Sequence, residues 1–152
     1  MVTIDASVLV AAAAPDDPAR AESMAFLAAV LGGGHPIHQP TLTLVEVAAA
    51  VGRRTQDVDL AREAGLRLLE MPGLVLDALD LDAAADAALL ASAARLRGAD
   101  AIYAATARRQ GSTLVTLDAE LLDRTQEFVS TMTPSAWLRR HDPQGAFPNR
   151  DS

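Results

Sequence analysis

The sequence predicts one α/β domain built from parallel strand–helix units, on three observations. Short apolar runs alternate with alanine-rich amphipathic stretches, the pattern of βαβ units and not of an all-helical bundle. The chain has 152 residues, 50% of them hydrophobic, which is the usual size of one domain and enough to bury a core. Neither an internal repeat nor a linker interrupts residues 1–140, and only the polar, Pro- and Gly-containing end HDPQGAFPNRDS, over residues 141–152, reads as a mobile tail.

The elements follow in order. Val2-Thr3-Ile4 reads as a first buried strand. Ser7 to Ala14 begins a short helix that Pro15-Asp16-Asp17-Pro18 breaks, and Ala19 to Leu31 is a second helix stopped by Gly32-Gly33-Gly34. His35 to Gln39 is a short strand, Thr41 to Arg54 a helix, Val58 to Glu70 another that ends near Met71-Pro72-Gly73, and Leu74 to Leu79 a strand. Asp82 to Arg97 is a long helix closed by Gly98; Asp100 to Gln110 is the next, closed by Gly111 at a C-cap. Thr113 to Leu117, TLVTL, is the clearest strand. Asp118 to Asp123 reads as a short helix, Phe128 to Ser130 as a last edge strand, and Pro134 to Arg140 as an amphipathic turn carrying Trp137.

Composition removes several function classes. With no cysteine, disulfides, thiolate catalysis and Cys-based zinc sites are excluded. The start shows neither a basic region nor a long apolar core, and the longest apolar stretches fall far short of the ~20 residues that cross a bilayer. A cytoplasmic protein without a membrane span is the expectation. All 13 basic residues are arginine, so the folds that place a lysine ammonium beside a phosphate, such as P-loop NTPases, receiver domains and haloacid-dehalogenase-type phosphatases, do not fit. A net charge of −7 argues against a broadly basic nucleic-acid surface. Nucleic-acid binding would have to be local and metal-assisted.

Four acids carry the chemistry: Asp5 after the first strand, Asp118 after TLVTL, Glu46 inside LTLVEVAAAV and Asp100 opening DAIYAATA. Ligands of open α/β sheets bind outside the carboxyl ends of the strands, where strand order reverses, so the two strand-end acids point to one crevice. Each acid also has a plainer reading. Asp5 and Asp118 suit helix N-caps, Asp100 suits a first helical turn, and Thr43-Leu-Val-Glu46 matches a capping box. Their joint placement is the argument for function. Several carboxylates in a partly desolvated crevice repel one another unless protonated or neutralised by a cation. All-oxygen donors select Mg2+ or Mn2+ over zinc. Such ions lower the pKa of water and bridge phosphate oxygens, which makes a nucleic-acid phosphodiester a natural substrate.

The segments VTIDASVLVAA, TLTLVEVAAAV and GADAIYAATARRQGSTLVTLD together resemble the signature regions of PIN-domain nucleases, most closely the VapC-type ribonuclease toxins of type II toxin–antitoxin systems. The likeness runs from Met1 to about Phe128. It implies a PIN-like three-layer α/β/α domain with a central parallel five-stranded sheet, a Mg2+- or Mn2+-dependent endoribonuclease that hydrolyses RNA with metal-activated water to leave a 3′-hydroxyl, and a VapB-like antitoxin partner. Carried over by position, Asp5 and Asp100 become the principal metal ligands, Glu46 and Asp118 complete the pocket directly or through water, and the Ser7 and Thr116 hydroxyls support carboxylate or metal water. Leu117, where many relatives are polar or basic, and Leu121, where an aromatic is common, depart from the pattern. The rival reading is a catalytically silent PIN-like module that binds RNA or a protein partner.

Other features have structural explanations. His35 and His38 in HPIHQP read as a surface segment at a sheet edge, and Gly32-Gly33-Gly34 lacks the spacing of a phosphate loop. Arg53-Arg54, Arg95, Arg97 and Arg108-Arg109 suit helix ends, with contact to RNA phosphates as the alternative. The helix face Met24, Leu27, Ala28 and Leu31 is expected to be core or, on the family reading, part of a homodimer surface or antitoxin groove.

Overall fold

A computed structural model of the chain describes residues 1–141; the expected mobile tail, apart from His141, lies outside them. Five strands form one sheet in the order β3-β2-β1-β4-β5, with every neighbouring pair parallel. They are β1 (Val2–Ile4), β2 (Ile37–Pro40), β3 (Leu74–Asp77), β4 (Thr113–Val115) and β5 (Thr131–Met132). The eight α-helices are α1 (Ala6–Ala13), α2 (Arg20–Gly32), α3 (Leu42–Thr55), α4 (Val58–Arg67), α5 (Leu81–Ala94), α6 (Gly98–Gln110), α7 (Ala119–Thr125) and α8 (Pro134–His141). From β1 the chain steps outward to β3, then returns across β1 to β4 and β5. Right-handed crossovers therefore put the connecting helices before and after that reversal on opposite faces, giving the α/β/α layering the sequence implied, while α8, which follows the last strand, packs back on α2.

β1 is the centre of the sheet, and Val2, Thr3 and Ile4 are all fully buried, as a strand covered on both faces must be. Its ladder to β4 pairs Val2 with Thr113, Thr3 with Leu114 and Ile4 with Val115. Toward β2 the register holds only Val2 opposite Ile37. Beyond it the buried Gln39 side chain replaces the ladder, donating to the Ile4 carbonyl at 2.8 Å and accepting from the Ile4 N–H at 3.2 Å. The two strands thus part at their carboxyl ends with the Ile4 N–H and carbonyl still paired. α6 packs across β1, β2 and β4, and α3 packs on α4. Gly65 permits the second contact, since a Cβ there would lie 2.8 Å from the Leu44 carbonyl oxygen.

At the amino end of the sheet, Phe26 of α2 and Trp137 of α8 meet edge to face at 5.2 Å, and His141 stacks on Trp137 at 4.0 Å. His35 meets the Trp137 ring edge to face at 5.3 Å. The two histidines expected at an exposed sheet edge are elsewhere. β2 is an inner strand, His35 belongs to this aromatic cluster, and His38 Nδ1 stands 3.4 Å from Asp77 Oδ2 of β3.

The structure corrects four further expectations. The last strand is Thr131–Met132 and not Phe128–Ser130: Phe128 and Val129 both donate backbone hydrogen bonds to the Thr125 carbonyl in a turn, and the apolar Val129 is buried by packing. α5 ends at Ala94 because Arg95 takes the left-handed position at φ 54°, so Gly98 opens α6 instead of closing α5. After Arg67, residues Leu68–Glu70 tighten into a 3₁₀ turn. The fully buried residues of α2 are Ser23, Phe26 and Val30; of the face expected to be core, Leu27 and Leu31 pack against it, whereas Met24 and Ala28 are exposed. Among the described residues, no helix is long and apolar enough to cross a membrane.

Candidate active site

The strand order reverses between β1 and β4, and the crevice at their carboxyl ends is where a ligand is expected. Asp5 follows β1 and is tied across to β4, its N–H donating to the Val115 carbonyl at 2.9 Å. It occupies the N-cap position of α1, yet its side chain makes no cap hydrogen bond. The carboxylate, 7% exposed, instead accepts the Ser7 hydroxyl at 2.5 Å and the Thr116 hydroxyl at 2.7 Å, both on Oδ2. Each hydroxyl is held in turn: Ser7 Oγ accepts the Leu117 N–H at 3.2 Å, and Thr116 Oγ1 accepts the Asp118 N–H at 3.0 Å. The plain N-cap explanation of Asp5 therefore fails, and its carboxylate is locked to the turn that carries Asp118.

For Asp118 the cap is real. Its Oδ1 accepts the N–H groups of Glu120 and Leu121 at the start of α7, at 2.8 and 3.1 Å, leaving Oδ2 outside the cap. Leu117 packs against the core, and Leu121 is fully buried. The capping box does not form, because α3 begins at Leu42, which places Thr43 and Glu46 inside the helix.

Glu46 is half-buried on α3, and its Oε2 is buried with no hydrogen-bond partner among the described residues. Its pKa is raised, first by burial and then by the charge of Asp5, against the opposing effects of the Tyr103 hydroxyl and Arg53. Asp100, in the first turn of α6, is pushed up to about 6 by burial and then by the charges of Asp5, Asp118 and Glu46, with Arg97 opposing. The four acids thus share one field, with each of the other three raising the energy of the charged Asp100. Upward shifts of this origin are those a bound cation reverses.

The donor set is all oxygen, it is partly desolvated, and it includes an unpaired buried carboxylate oxygen at Glu46, so by chemistry it fits a hard divalent cation. By position it is looser: among the described residues, no three His, Asp or Glu groups stand close enough to enclose an ion as the side chains lie.

Residues 2–127 match the model of the PIN domain. The chain belongs to the PIN domain family. PIN domains are in general nucleases and in general use divalent metals such as Mg2+. FitAcB from Neisseria gonorrhoeae is similar in structure at a TM-score of 0.68, with 20% identity over 89% of this chain and 99% of that one. PAE2754 from Pyrobaculum aerophilum gives 0.66, with 22% identity over 94% and 96%. VapBC2 from Rickettsia felis, bound to a DNA fragment from its promoter, gives 0.64, with 13% identity over 88% and 98%. At these identities the likeness establishes the PIN fold. Among curated proteins, no sequence is significantly similar to the chain.

Sequence reasoning missed three polar residues at the crevice. Gln39 sets the spacing of β1 and β2 beside Asp5. Thr43 and Tyr103, each 1% exposed, lie one helical turn from Glu46 and Asp100 respectively. Thr43 reads in the sequence as the start of a capping box and Tyr103 has no assigned role there; the spacing of three residues from an acid is the signal available.

Proposed function

We propose that this PIN domain is a Mg2+- or Mn2+-dependent endoribonuclease, the toxin of a VapBC-type pair restrained by a VapB-like antitoxin. The observation that carries the reading is that Asp5 and Asp118, at the ends of β1 and β4, are linked through the Ser7 and Thr116 hydroxyls, with Glu46 and Asp100 within electrostatic reach of Asp5. The similarity in fold to VapBC2 supports the antitoxin partner.

Asp5 and Asp100 would hold the ion, with Glu46 and Asp118 completing the pocket directly or through water. The ion would supply positive charge to offset the phosphodiester and would lower the pKa of water. Asp5 is the most rigid of the four, because two hydroxyls fix one of its oxygens. Asp118 is steadied by its own cap. The half-buried Glu46 and Asp100 would also orient the attacking water and accept its proton. The guanidinium groups of Arg53 and Arg97 lie close enough to act on Glu46 and Asp100, and they give an acidic protein a local attraction for RNA phosphates.

The test is cleavage of a structured RNA with and without Mg2+, comparing wild type with Asp5→Ala and Asp100→Asn. Metal-dependent products that each substitution reduces by about 100-fold are expected. Absence of such products in the wild type would leave a silent RNA- or partner-binding module as the function.

A further inference from the structure

One tyrosine occurs in the chain, and it lies at the base of the crevice. Tyr103 is 1% exposed, yet its hydroxyl has no hydrogen-bond partner among the described residues. The same holds for the hydroxyl of Thr43 and for Oε2 of Glu46. Three buried polar atoms left unpaired in one place would cost about 1–3 kcal/mol each, and native interiors rarely tolerate that. Their polar neighbours are one another: the Tyr103 phenol interacts with Thr43 and Glu46, and Asp5 lies within electrostatic reach. Burial and the charges of Glu46 and Asp5 raise the phenol pKa, so Tyr103 stays neutral and keeps a proton to donate. Thr43 precedes Glu46 by one turn of α3, and Tyr103 follows Asp100 by one turn of α6. The two helices therefore bring a hydroxyl pair beneath the two acids that lack the support Ser7 and Thr116 give Asp5.

We propose that Tyr103 is a positioning residue for Glu46: Thr43 donates to the Tyr103 hydroxyl, Tyr103 donates to the Glu46 carboxylate, and this relay holds Glu46 at the crevice beside Asp5 and Asp100. The relay gives each of the three orphaned atoms a partner. The inference rests on the metal-dependent nuclease reading, because the carboxylate so held is one of the proposed ion-binding groups. Hydroxyls that orient an ion-binding carboxylate influence affinity and turnover without touching substrate.

The single tyrosine makes the relay readable apart from activity. Protein labelled with 13C at the tyrosine ζ carbon gives one resonance from this chain, to be recorded for wild type, Glu46→Ala, Thr43→Val and Glu120→Gln. The relay requires that Glu46→Ala and Thr43→Val shift the resonance and that Glu120→Gln leaves it in place. A resonance indifferent to Glu46→Ala overturns the relay whether or not the protein cuts RNA. In parallel, Tyr103→Phe should weaken Mn2+ binding in calorimetry by about tenfold and lower kcat to a similar extent, with KM for the RNA nearly unchanged and the folded state intact by circular dichroism. If Tyr103→Phe alters thermal stability alone, Tyr103 is a core residue and the positioning role is wrong. Wild type that shows the relay in the spectrum but neither binds Mn2+ nor cleaves RNA refutes the nuclease reading, and with it the positioning role.

Discussion

The two ends of the central sheet are built on opposite principles. At the amino end, Phe26, His35, Trp137 and His141 stack in edge-to-face and parallel pairs, and the Ser135 hydroxyl joins α8 to α2 through the Glu22 carboxylate. At the carboxyl end, the charges of Asp5, Asp118 and Glu46 oppose the ionisation of Asp100, and the hydroxyls of Thr43 and Tyr103 and one Glu46 oxygen lack partners among the described residues. One end holds the domain together, and the other spends part of that stability on a charged crevice. The difference shows where stability and chemistry can be varied separately.

Breaking the aromatic end should have the largest effect. Trp137→Ala removes a side chain only 2% exposed and should cost about 3–5 kcal/mol in urea unfolding, with crevice chemistry retained in whatever fraction stays folded. At the crevice, the hydroxyls that lock Asp5 are the stabilising part. Thr116→Val should cost about 1–3 kcal/mol, since it takes a donor from a buried carboxylate. The acids themselves should behave in the reverse sense. Asp100→Asn relieves the repulsion on that group and should raise the melting temperature of the metal-free protein at pH 7 by about 2–4 °C, while lowering the proposed RNA cleavage by about 100-fold. A lower melting temperature for Asp100→Asn would remove the contrast between the two ends.

The smallest effect is in the pH dependence, where the two ends have opposite signs. Asp100 titrates near pH 6 in place of its ordinary 3.8. The folded state therefore binds that proton more tightly than the unfolded chain, and stability falls as pH rises from about 4 to about 6. His35 is lowered from 6.5 by burial, then by the charges of the chain's amino terminus and His141. Its contribution is complete above pH 6.5 and is lost as pH falls below it. Melting curves in EDTA from pH 4 to 8 for wild type, Asp100→Asn and His35→Gln separate the two: Asp100→Asn should steepen the loss of stability on the acid side, and His35→Gln should flatten it.

Much of this plan was legible in the chain. The two strand-end acids could be placed because a short apolar run followed by an acid leaves few alternatives in a parallel sheet, and β1 and β4 appear where that pattern predicts. β5 was misplaced because Phe128 and Val129 are apolar for packing, whereas the strand itself is the unremarkable pair Thr131–Met132. The close of α5 was assigned to Gly98 because glycine is the usual left-handed residue, but Arg95 adopts that conformation. Thr43 reads in the sequence only as the start of a capping box and Tyr103 carries no signal of its own; by exposure both are core. Only the helices' arrangement in space shows that their hydroxyls gather under Glu46.

Gln39 gives the crevice an adjustable dimension. Because an amide side chain and not a backbone ladder joins β2 to the end of β1, the gap between those strands is set by the length of one residue. Asparagine in its place would have to draw the strands together by about the length of one methylene or leave the Ile4 peptide unpaired. The separation of α3 from β1, and so of Glu46 from Asp5, is in this sense written in a side chain that carries no charge and takes no part in the chemistry.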